Sequence, residues 1–408
     1  MPARFEDIYS LICVELFRKS LNRLFNSTRC VSMNGWKGFF RGIKNKLCGY
    51  PLLTGLAVLQ SDAMRPKADY DRIGQGILQE QQMELSAAEQ KERISAFAVQ
   101  PKLSILMPIY NAPVKWLEIA ILSVQSQSYT NWELCMVDDG SEDTRGLSLI
   151  DNLQQKDSRL KLQHMPQNSG ISAASNKALS MAEGEYIVLM DQDDELTPDA
   201  FFWFVNEINT FPESDILYSD ECKTLGMVKP TLTDFYFKPD WSPELLINHM
   251  YVGHLTMYRT ALVRKLGGFR SEYDFSQDYD LILRASEETE HIRHVERVLY
   301  FWRMLPTSGA AGGKDYARIS NVAALADAYQ RRGLPALCYA GGYANYGFLK
   351  MERNPLVSVI IPSDSTKILQ KCIQGLTGEM TSYKNLEIIP VTNSKTANEI
   401  EEMFSYLS

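Results

Sequence analysis

Two clusters of carboxylates each follow a short apolar run of the chain, and their residue types are suited to catalysis or metal binding. Asp-Asp-Gly-Ser begins at Asp138, and Asp-Gln-Asp-Asp begins at Asp191. So many carboxylates repel one another unless a cation or a hydrogen-bond donor joins them. An Asp-x-Asp at the end of a strand suits a hard divalent cation such as Mg²⁺ or Mn²⁺, which also binds substrate phosphates. The pattern therefore predicts a metal site, and the alternative is that Asp193 and Asp194 only cap a helix that begins near Pro198.

The segments that must position these carboxylates are short apolar runs, which alternate with helical stretches from Lys102 onward. This alternation predicts an α/β fold with a parallel sheet and helices on both faces. Ligands of such sheets bind beyond the carboxyl ends of the strands, so the Pro-Ile-Tyr-Asn turn that begins at Pro108 is expected at the same edge. A polar helix is expected before the first strand, over Ile77–Ala98. The strands that we expect are Leu103–Met107, Trp132–Val137, Leu160–His164, Tyr186–Met190 and Ile216–Tyr218.

The composition excludes several classes of protein. The chain has 408 residues, of which 45% are hydrophobic and 23% charged, so a disordered or fibrous protein is excluded and two or three domains are expected. A net charge of −8 argues against nucleic acid as a partner. Seven scattered cysteines without a Cys-x-x-Cys pair exclude a zinc ribbon and are typical of a reducing compartment. Since no membrane-spanning run or signal-peptide pattern is found, we expect a cytoplasmic location.

The N-terminal part of the chain differs from the rest in charge. Residues 1–67 carry eleven Lys and Arg against four Asp and Glu. Within this stretch the apolar residues from Ile8 to Leu16 precede Arg18 and Arg23, which is the pattern of a basic amphipathic helix. Such a helix can dock on an anionic membrane surface, or it can pack on the main domain with its basic face in solvent. We therefore expect residues 1–100 to form a helical, basic N-terminal region, with possible attachment at the inner face of the cytoplasmic membrane.

An internal repeat relates the first two expected strands to the end of the chain. A shift of 254 positions places Tyr129 on Tyr383 and Glu133 on Glu387, and the same offset holds over some thirty-five residues. The repeat predicts that residues 355–408 begin a second α/β unit. These 54 residues are too few to complete such a domain. Either the natural protein continues beyond these residues, or the second copy is a remnant packed against the first.

Five motifs follow one another along the chain, and together they carry a resemblance to a known family. They are Ser-Ile-Leu-Met-Pro-Ile-Tyr-Asn from Ser104, Val-Asp-Asp-Gly-Ser from Val137, Gly-Glu-Tyr-Ile-Val-Leu-Met-Asp-Gln-Asp-Asp from Gly184, Lys-Pro-Asp-Trp-Ser-Pro from Lys238 and Ser-Gln-Asp-Tyr-Asp-Leu from Ser276. Their order resembles that of family-2 glycosyltransferases of the GT-A fold, in the bacterial branch that builds O-antigen and other surface polysaccharides. This branch often has two transferase domains in tandem. The resemblance implies a Rossmann-like, mostly parallel sheet and a transferase domain over residues 101–345.

The resemblance also implies roles for individual residues. Asp193, together with Asp191, is expected to bind the Mg²⁺ or Mn²⁺ that bridges the donor diphosphate, and Asp278 matches the catalytic base, for which the alternative is a helix-cap carboxylate. The nucleotide-sugar donor is expected to contact Pro108, Tyr110, Asn111, Asp138, Asp139, Asn176, Asp191 and Gln192. A second and less specific set is expected at the acceptor: Trp241, His254, Gly268, Gln277 and Trp302.

These roles describe a metal-dependent, inverting glycosyltransferase that moves a sugar from a nucleotide sugar to a hydroxyl of a growing surface glycan, free or lipid-linked. The alternative is a degenerate transferase that only binds nucleotide or glycan. It is favoured by Phe301. Relatives often have the sequence Tyr-His-Trp-Arg here, in which the histidine supplies a further metal contact, and Phe301 takes the place of that histidine. A nucleotidyltransferase would also use carboxylates and Mg²⁺, but residues 108–113 contain neither the glycine nor the basic residue of its phosphate loop.

Overall fold

The computed structural model describes residues 67–226, 230–305, 315–334, 336–341, 345–349, 353–378, 382–392, 398 and 400–402. The basic N-terminal segment with the expected membrane-docking helix lies outside the described residues. None of the helices described is both long and apolar enough to cross a membrane. The described residues fall into two compact units, of which the larger runs to Gly333 and includes Cys338–Gly347, while the smaller comprises Leu334–Leu337 and the residues from Phe348 onward.

Helices and strands alternate along the described chain. The helices are α1 (Lys67–Gln82), α2 (Ala87–Ala96), α3 (Val114–Gln125), α4 (Arg145–Gln154), α5 (Ile171–Met181), α6 (Ala200–Thr210), α7 (Pro243–Leu246), α8 (Thr260–Lys265), α9 (Gln277–Ala285), α10 (Asp315–Arg331) and α11 (Thr366–Thr377). The strands are β1 (Leu103–Ile109), β2 (Trp132–Asp138), β3 (Leu160–His164), β4 (Tyr186–Leu189), β5 (Glu195–Leu196), β6 (Ile216–Leu225), β7 (Thr231–Tyr236), β8 (Thr256–Arg259), β9 (Ile292–Arg303), β10 (Ala336–Ala340), β11 (Asn345–Leu349), β12 (Val357–Pro362) and β13 (Leu386–Val391).

The first nine strands form one sheet in the order β3-β2-β1-β4-β8-β6-β9-β5, with β7 paired to β6. Strands β1 to β4 run parallel to one another, and β6 is parallel to β9. Strand β8 is antiparallel to both β4 and β6, which separates the two parallel parts. The predicted α/β class is thus confirmed. The sheet departs from a purely parallel one at β8 and at two outer strands, since β7 is antiparallel to β6 and β5 is antiparallel to β9.

The core lies between the sheet and the helices that cover it. Leu117 and Ile121 of α3 and Phe201 and Phe204 of α6 are fully buried in one cluster with the apolar residues of β1, β2 and β4. Each side chain of this size contributes about 1.5–3 kcal/mol when it is buried. Strands β1 and β2 are buried along nearly their whole length, which is why they read as continuous apolar runs in the sequence.

The segment before β1 contains two helices where one was predicted. Ser86 begins α2 with a capping box, in which its hydroxyl accepts from Glu89 N at 3.3 Å and the Glu89 carboxylate accepts from Ser86 N at 2.7 Å. A capping box starts a helix because it satisfies the N–H groups that have no partner in the first turn. Helix α1 packs on β7, where Tyr70 donates a hydrogen bond to Phe235 O at 2.6 Å.

The strand pair of the smaller unit reproduces the pairing of β1 and β2. Strands β12 and β13 are parallel, and their register is that of β1 and β2 shifted by 254 positions in both strands. In the first pair Ser104 Oγ donates to Glu133 Oε1 at 2.6 Å, and in the second Ser358 Oγ donates to Glu387 Oε1 at 2.5 Å. The sequence repeat is therefore accompanied by a structural one, while the domain boundaries and the identity of this unit as a second copy stay predictions.

A buried carboxylate joins three strands at the edge of the sheet opposite to the predicted site. Glu133 of β2 is 1% exposed, and its Oε2 lies 2.6 Å from Lys102 Nζ and 2.8 Å from Lys161 Nζ. Its Oε1 accepts from Ser104 Oγ and from Glu183 N, both at 2.6 Å. Burial alone would raise the pKa of this carboxyl, but the lysines and the hydroxyl outweigh burial and lower the pKa to about 2.

Candidate active site

Three strand ends meet at one edge of the sheet. Strands β2 and β4 lie on either side of β1 and run parallel to it, so the segments that follow the three strands are neighbours. A cavity of about 140 Å³ lies beyond this edge. Its lining includes Pro108, Asp191, His254, Phe269, Gln277 and Asp278. The fold thus brings residues predicted for the donor, the metal, the acceptor and the base to a single cavity.

The turn after β1 is tied to both neighbouring strand ends. Tyr110 N donates to Gln192 Oε1 at 2.9 Å, and Gln192 Nε2 donates back to Tyr110 O at 3.1 Å. Asn111, whose φ is +47°, accepts through its Oδ1 from Glu142 N at 2.9 Å. The side-chain amides of Gln192 and Asn111 therefore hold backbone, while the Tyr110 residue is 43% exposed and leaves its ring accessible to a ligand.

The two carboxylates after β2 are buried and hold the neighbouring turns. Asp138 Oδ1 accepts from Ser141 N at 3.0 Å, within its own turn. Asp139 is 3% exposed, and its two oxygens accept from Ser169 N at 2.7 Å and from Gly170 N at 2.9 Å, at the start of α5. Each carboxylate oxygen has a second lone pair, so a base contact of Asp139 remains chemically open and stays a prediction.

Asn176 and Gly268 contact each other instead of the cavity. Asn176 Nδ2 donates to Phe269 O at 2.7 Å, and its Oδ1 accepts from Phe269 N at 2.8 Å. Gly268 has a φ of +78°, and a Cβ there would lie 2.2 Å from Asn176 Oδ1. The described bonds of Asn176 fix the Gly-Gly-Phe turn, and a glycine is required for this close approach. The donor role of Asn176 and the acceptor role of Gly268 stay predictions.

The last aspartate of the motif after β4 is part of the protein core. Asp194 is 1% exposed, and its carboxylate accepts from Tyr300 OH at 2.5 Å and from Arg303 N at 2.6 Å. Burial, reinforced by the charges of Asp191 and Asp193, raises its pKa well above the usual value. Asp194 therefore anchors the motif to β9 and does not cap a helix, since the residue before α6 is Asp199.

The pairing of β4 with β8 brings His254 to Asp191. The two strands are antiparallel, and their last pair is Leu189 with Thr256. Extending this register by two residues beyond that pair places Asp191 opposite His254. His254 Nε2 lies 3.8 Å from Asp191 Oδ2. One oxygen of Asp194 completes a group whose three potential ligand atoms lie within 4.8 Å of one another. Asp193, which the sequence predicts as the metal ligand, is not in this group.

Two further carboxyls of the site have raised pKa values. Burial, followed by the charge of Asp191, raises the pKa of Asp193 to about 6. Burial also raises the pKa of Asp278, which is in the first turn of α9, while the neighbouring His254 opposes the rise. A carboxyl whose pKa is raised towards neutrality is a better proton acceptor than an ordinary one. Mutual repulsion of Asp191 and Asp193 is also what a bound cation would relieve, so the donor set fits a divalent metal.

The other residues of the Gln-Asp-Tyr-Asp motif have different surroundings. Gln277 lines the cavity beside Asp278, and its buried Oε1 accepts no hydrogen bond within the described chain. Asp280 is fully buried and forms ion pairs with Arg270 and Arg284, so it supports the helix.

The two tryptophans predicted for the acceptor lie in different places. Trp302 lines a second cavity of about 630 Å³, to which α1 contributes Lys67 and Tyr70. Met250 lines both this cavity and the first, so the two are adjacent. Trp241 lines a third cavity with Glu287 and other residues, and it is not brought to the strand ends.

Phe301 faces away from the candidate metal group. Side chains alternate along β9, and Tyr300 and Trp302 both contact the His254 ring, with centroid distances of 4.8 and 5.8 Å. Phe301 packs on the opposite face against the cluster that includes Phe235 of β7. A side chain at position 301 does not point to Asp191. The presence of phenylalanine instead of histidine there is therefore no evidence against a metal site. Sequence reasoning did not detect that His254 lies beside Asp191, because no local pattern encodes the pairing of β4 with β8.

Comparison with known proteins identifies relatives of this chain. A family model described as Glycosyl transferase family 2 matches residues 104–267. The chain is 33% identical over 195 residues to the putative colanic acid biosynthesis glycosyl transferase WcaA of Escherichia coli, covering 46% of this chain and 67% of that protein. It is 28% identical over 313 residues to the O-antigen biosynthesis protein RfbC of Myxococcus xanthus, covering 76% of this chain and 24% of that protein.

The similarity to solved structures is weaker. The crystal structure of S. aureus TarS residues 1–349 in complex with UDP-GlcNAc is 20% identical, with a TM-score of 0.45, over 57% of this chain and 72% of that one. Two curated relatives match about three quarters of this chain. The matched part is only about a third or less of the length of those relatives.

Proposed function

Because the chain belongs to glycosyltransferase family 2, we propose that it transfers a sugar from a nucleotide sugar to a hydroxyl of a growing surface glycan, an O-antigen or a similar polysaccharide. The proposed reaction inverts the anomeric configuration and requires Mg²⁺ or Mn²⁺. The observation that carries the proposal is the cavity beyond the ends of β1 and β4, in which Asp191, His254 and Asp278 meet. A metal-binding carboxylate and a base facing one cavity are what the reaction needs.

The donor nucleotide is proposed to bind along the ends of β1 and β2. The accessible Tyr110 ring offers a face on which a base can stack, and the free lone pairs of Asp139 can accept from a base N–H. Asp191 is proposed to contact the ribose. Gln192 and Asn111 support this site through the backbone bonds that they make across the turns.

The diphosphate of the donor is proposed to lie beside Asp191 and Asp193. Asp191 and Asp193 would hold a divalent cation, which when bound would neutralise the charge that develops on the leaving nucleoside diphosphate. Binding of the cation would also relieve the electrostatic repulsion between the two aspartates. Asp194 and its bonds to Tyr300 and Arg303 keep the motif in position during the reaction.

Asp278 is proposed to act as the base. Its carboxylate would take the proton of the acceptor hydroxyl while that oxygen forms a bond to the anomeric carbon from the face opposite the diphosphate. The bond between the anomeric carbon and the diphosphate oxygen breaks, and its electron pair leaves with the nucleoside diphosphate. This single displacement inverts the anomeric configuration. The raised pKa of Asp278 suits the proton transfer, which typically accelerates a reaction about 10²–10⁴-fold.

The acceptor glycan is proposed to extend from Asp278 past Met250 into the second cavity. Its volume of about 630 Å³ lies in the usual range of ligand sites. Trp302 and Tyr236 line it with aromatic rings, on which sugar rings can stack, and Lys223 and Asp234 supply polar contacts. A lipid-linked acceptor and docking of the N-terminal region on the inner face of the cytoplasmic membrane belong to the same proposal.

Calorimetric titration with UDP, dTDP, GDP and CMP, each with Mn²⁺, with Mg²⁺ and with EDTA, tests the donor and the cation together. We expect one nucleotide to bind only with the cation, and Asp193→Ala to abolish that binding. Asp278→Asn should bind the same nucleotide with unchanged affinity and lower turnover of the matching nucleotide sugar by about 10²–10⁴-fold. Asp151→Asn, on the exposed side of α4, is the control and should behave as wild type. If no nucleotide binds in the presence of either cation, the proposed function is wrong.

A further inference from the structure

The imidazole of His254 lies at the distance from Asp191 that two ligands of one cation require. Ligand bonds of about 2.1–2.2 Å place two ligand atoms about 3.0 Å apart in adjacent octahedral positions and about 4.3 Å apart in opposite ones. His254 Nε2 and Asp191 Oδ2 are 3.8 Å apart, between these limits. A cation can therefore contact both atoms once their separation changes by about 0.5–0.8 Å.

Asp194 is close to the same two atoms but is already committed to other partners. Both of its oxygens accept strong hydrogen bonds, from Tyr300 OH and Arg303 N, and the residue is 1% exposed. Each oxygen keeps a second lone pair, but the two bonds hold the carboxylate on β9, so we assign Asp194 to anchoring the motif. The ligands that we consider for a cation are Asp191, His254 and, by the sequence prediction, Asp193.

A buried ion pair holds the backbone of His254. Lys238 Nζ, whose side chain is fully buried, lies 2.9 Å from Glu221 Oε2 and also donates to the carbonyls of Val252 and His254. Glu221 Oε2 accepts in turn from His254 N at 2.7 Å. Gly253 lies against this pair, since a Cβ there would be 2.8 Å from Glu221 Oε2.

The ring of His254 is also fixed by its neighbours. It stacks on Tyr300 at 4.8 Å and meets the edge of Trp302 at 5.8 Å. With the backbone held by Lys238 and the ring held by two aromatic residues, Nε2 is preorganised towards Asp191. Ligands of metal centres are typically oriented by such surrounding contacts.

We propose that His254 is a protein ligand of the catalytic cation, shared with Asp191, and that its nitrogen makes the centre prefer Mn²⁺ to Mg²⁺. The inference rests on the proposed function and names the cation. Mg²⁺ favours oxygen ligands and keeps its waters, whereas imidazole suits the transition metals. Lys238 and Glu221 act as positioning residues for this ligand.

The test uses the full chain with Mn²⁺ and each nucleotide of the titration panel. Electron paramagnetic resonance of the bound Mn²⁺ should show a coupling to a histidine nitrogen in wild type, and labelling of the histidines with ¹⁵N should change that coupling. His254→Ala should lose this coupling and should bind Mn²⁺ about 10-fold or more weakly than wild type. Its preference for Mn²⁺ over Mg²⁺, measured by competition between the two cations, should also be smaller. His291→Ala, at an exposed histidine after α9, is the matched control and should keep both.

The outcomes separate this inference from the proposed function. If wild type binds neither cation with any nucleotide, the proposed metal dependence fails. If wild type binds Mn²⁺ without nitrogen coupling, or if His254→Ala binds both cations as wild type does, the proposed function stands and the role of His254 is overturned. If His254→Ala does not fold, the wild-type protein still provides the test, because absence of a coupling that changes with ¹⁵N-histidine labelling would overturn the role of His254.

Discussion

Replacing Glu133 by Gln removes a buried charge that two lysines neutralise. The Glu133 side chain is 2% exposed, and Lys102 Nζ and Lys161 Nζ lie 2.6 and 2.8 Å from its Oε2. Burial opposes the charged form, but the lysines and Ser104 lower the pKa of this carboxyl from 4.5 to about 2. A lowering of that size stabilises the fold by about 3 kcal/mol at neutral pH. We expect Glu133→Gln to lose that free energy of unfolding, in line with the roughly 3–5 kcal/mol lost when a buried pair is broken.

Urea unfolding at pH 7, followed by tryptophan fluorescence, measures this loss as a lower midpoint at an unchanged slope. Glu183→Gln is the matched control, because Glu183 contacts the same Lys102 and Lys161 at 2.8 and 2.9 Å while its side chain is 65% exposed. An exposed ion pair contributes about 0–1 kcal/mol, so the control should unfold nearly as wild type does.

The pH dependence of the Glu133 effect has a definite sign. Since the pKa is lowered in the folded state, the stabilisation is fully present above about pH 4.5 and is lost as the pH falls towards about 2. The difference between wild type and Glu133→Gln should narrow from about 3 kcal/mol at pH 7 to about 1.5 kcal/mol at pH 3. A loss below about 1 kcal/mol at pH 7, an equal loss in the control, or a difference that does not change with pH would refute the reasoning.

Three further substitutions test the contacts around the site. Lys238→Met leaves the buried Glu221 carboxylate without an opposite charge and should lower the free energy of unfolding by about 3–5 kcal/mol in urea titrations, with partial recovery when Glu221→Gln is added. Gly268→Ala forces a Cβ against Asn176 Oδ1 at a positive φ, so the melting temperature should fall by an amount equivalent to more than about 1 kcal/mol; an unchanged melting temperature contradicts the close approach. Trp302→Ala should raise the KM for the acceptor glycan up to about tenfold and leave nucleotide affinity unchanged; a loss confined to nucleotide binding would place the acceptor elsewhere.

The strands that position the site were predictable because they are buried on both faces. A buried parallel strand forms a largely apolar run, so the expected Trp132–Val137 and Tyr186–Met190 agree with β2 and β4 within one residue at each end. Strand β6 begins at Ile216 as expected but continues to Leu225. The predicted strand ended at Tyr218 because the next three residues, Ser-Asp-Glu, are polar and interrupt the apolar run. The helix break at Ser86 was missed although its capping box can be read in the sequence.

The composition of the candidate site was predictable as far as it depends on strand ends. The aspartates after β2 and β4 had to lie at one edge once the strands were parallel, and Asp191 and Asp278 do line one cavity. Which carboxylate is accessible was not predictable. Asp193 and Asp194 are adjacent in the sequence, but the bonds from Tyr300 and Arg303 of the distant β9 bury Asp194 in the core.

The sequence by itself determined the α/β alternation, the family motifs and the residue types at each strand end, because these depend on neighbours along the chain. Only the tertiary structure decided that His254 faces Asp191 and that Phe301 does not. Both follow from long-range strand pairing, β4 with β8 in one case and β9 with β6 in the other. Successive side chains of a strand alternate between the two faces of the sheet, so a shift of one residue in such a pairing would exchange what faces the site. No local pattern specifies that register, and it is the packing of the whole sheet that selects it.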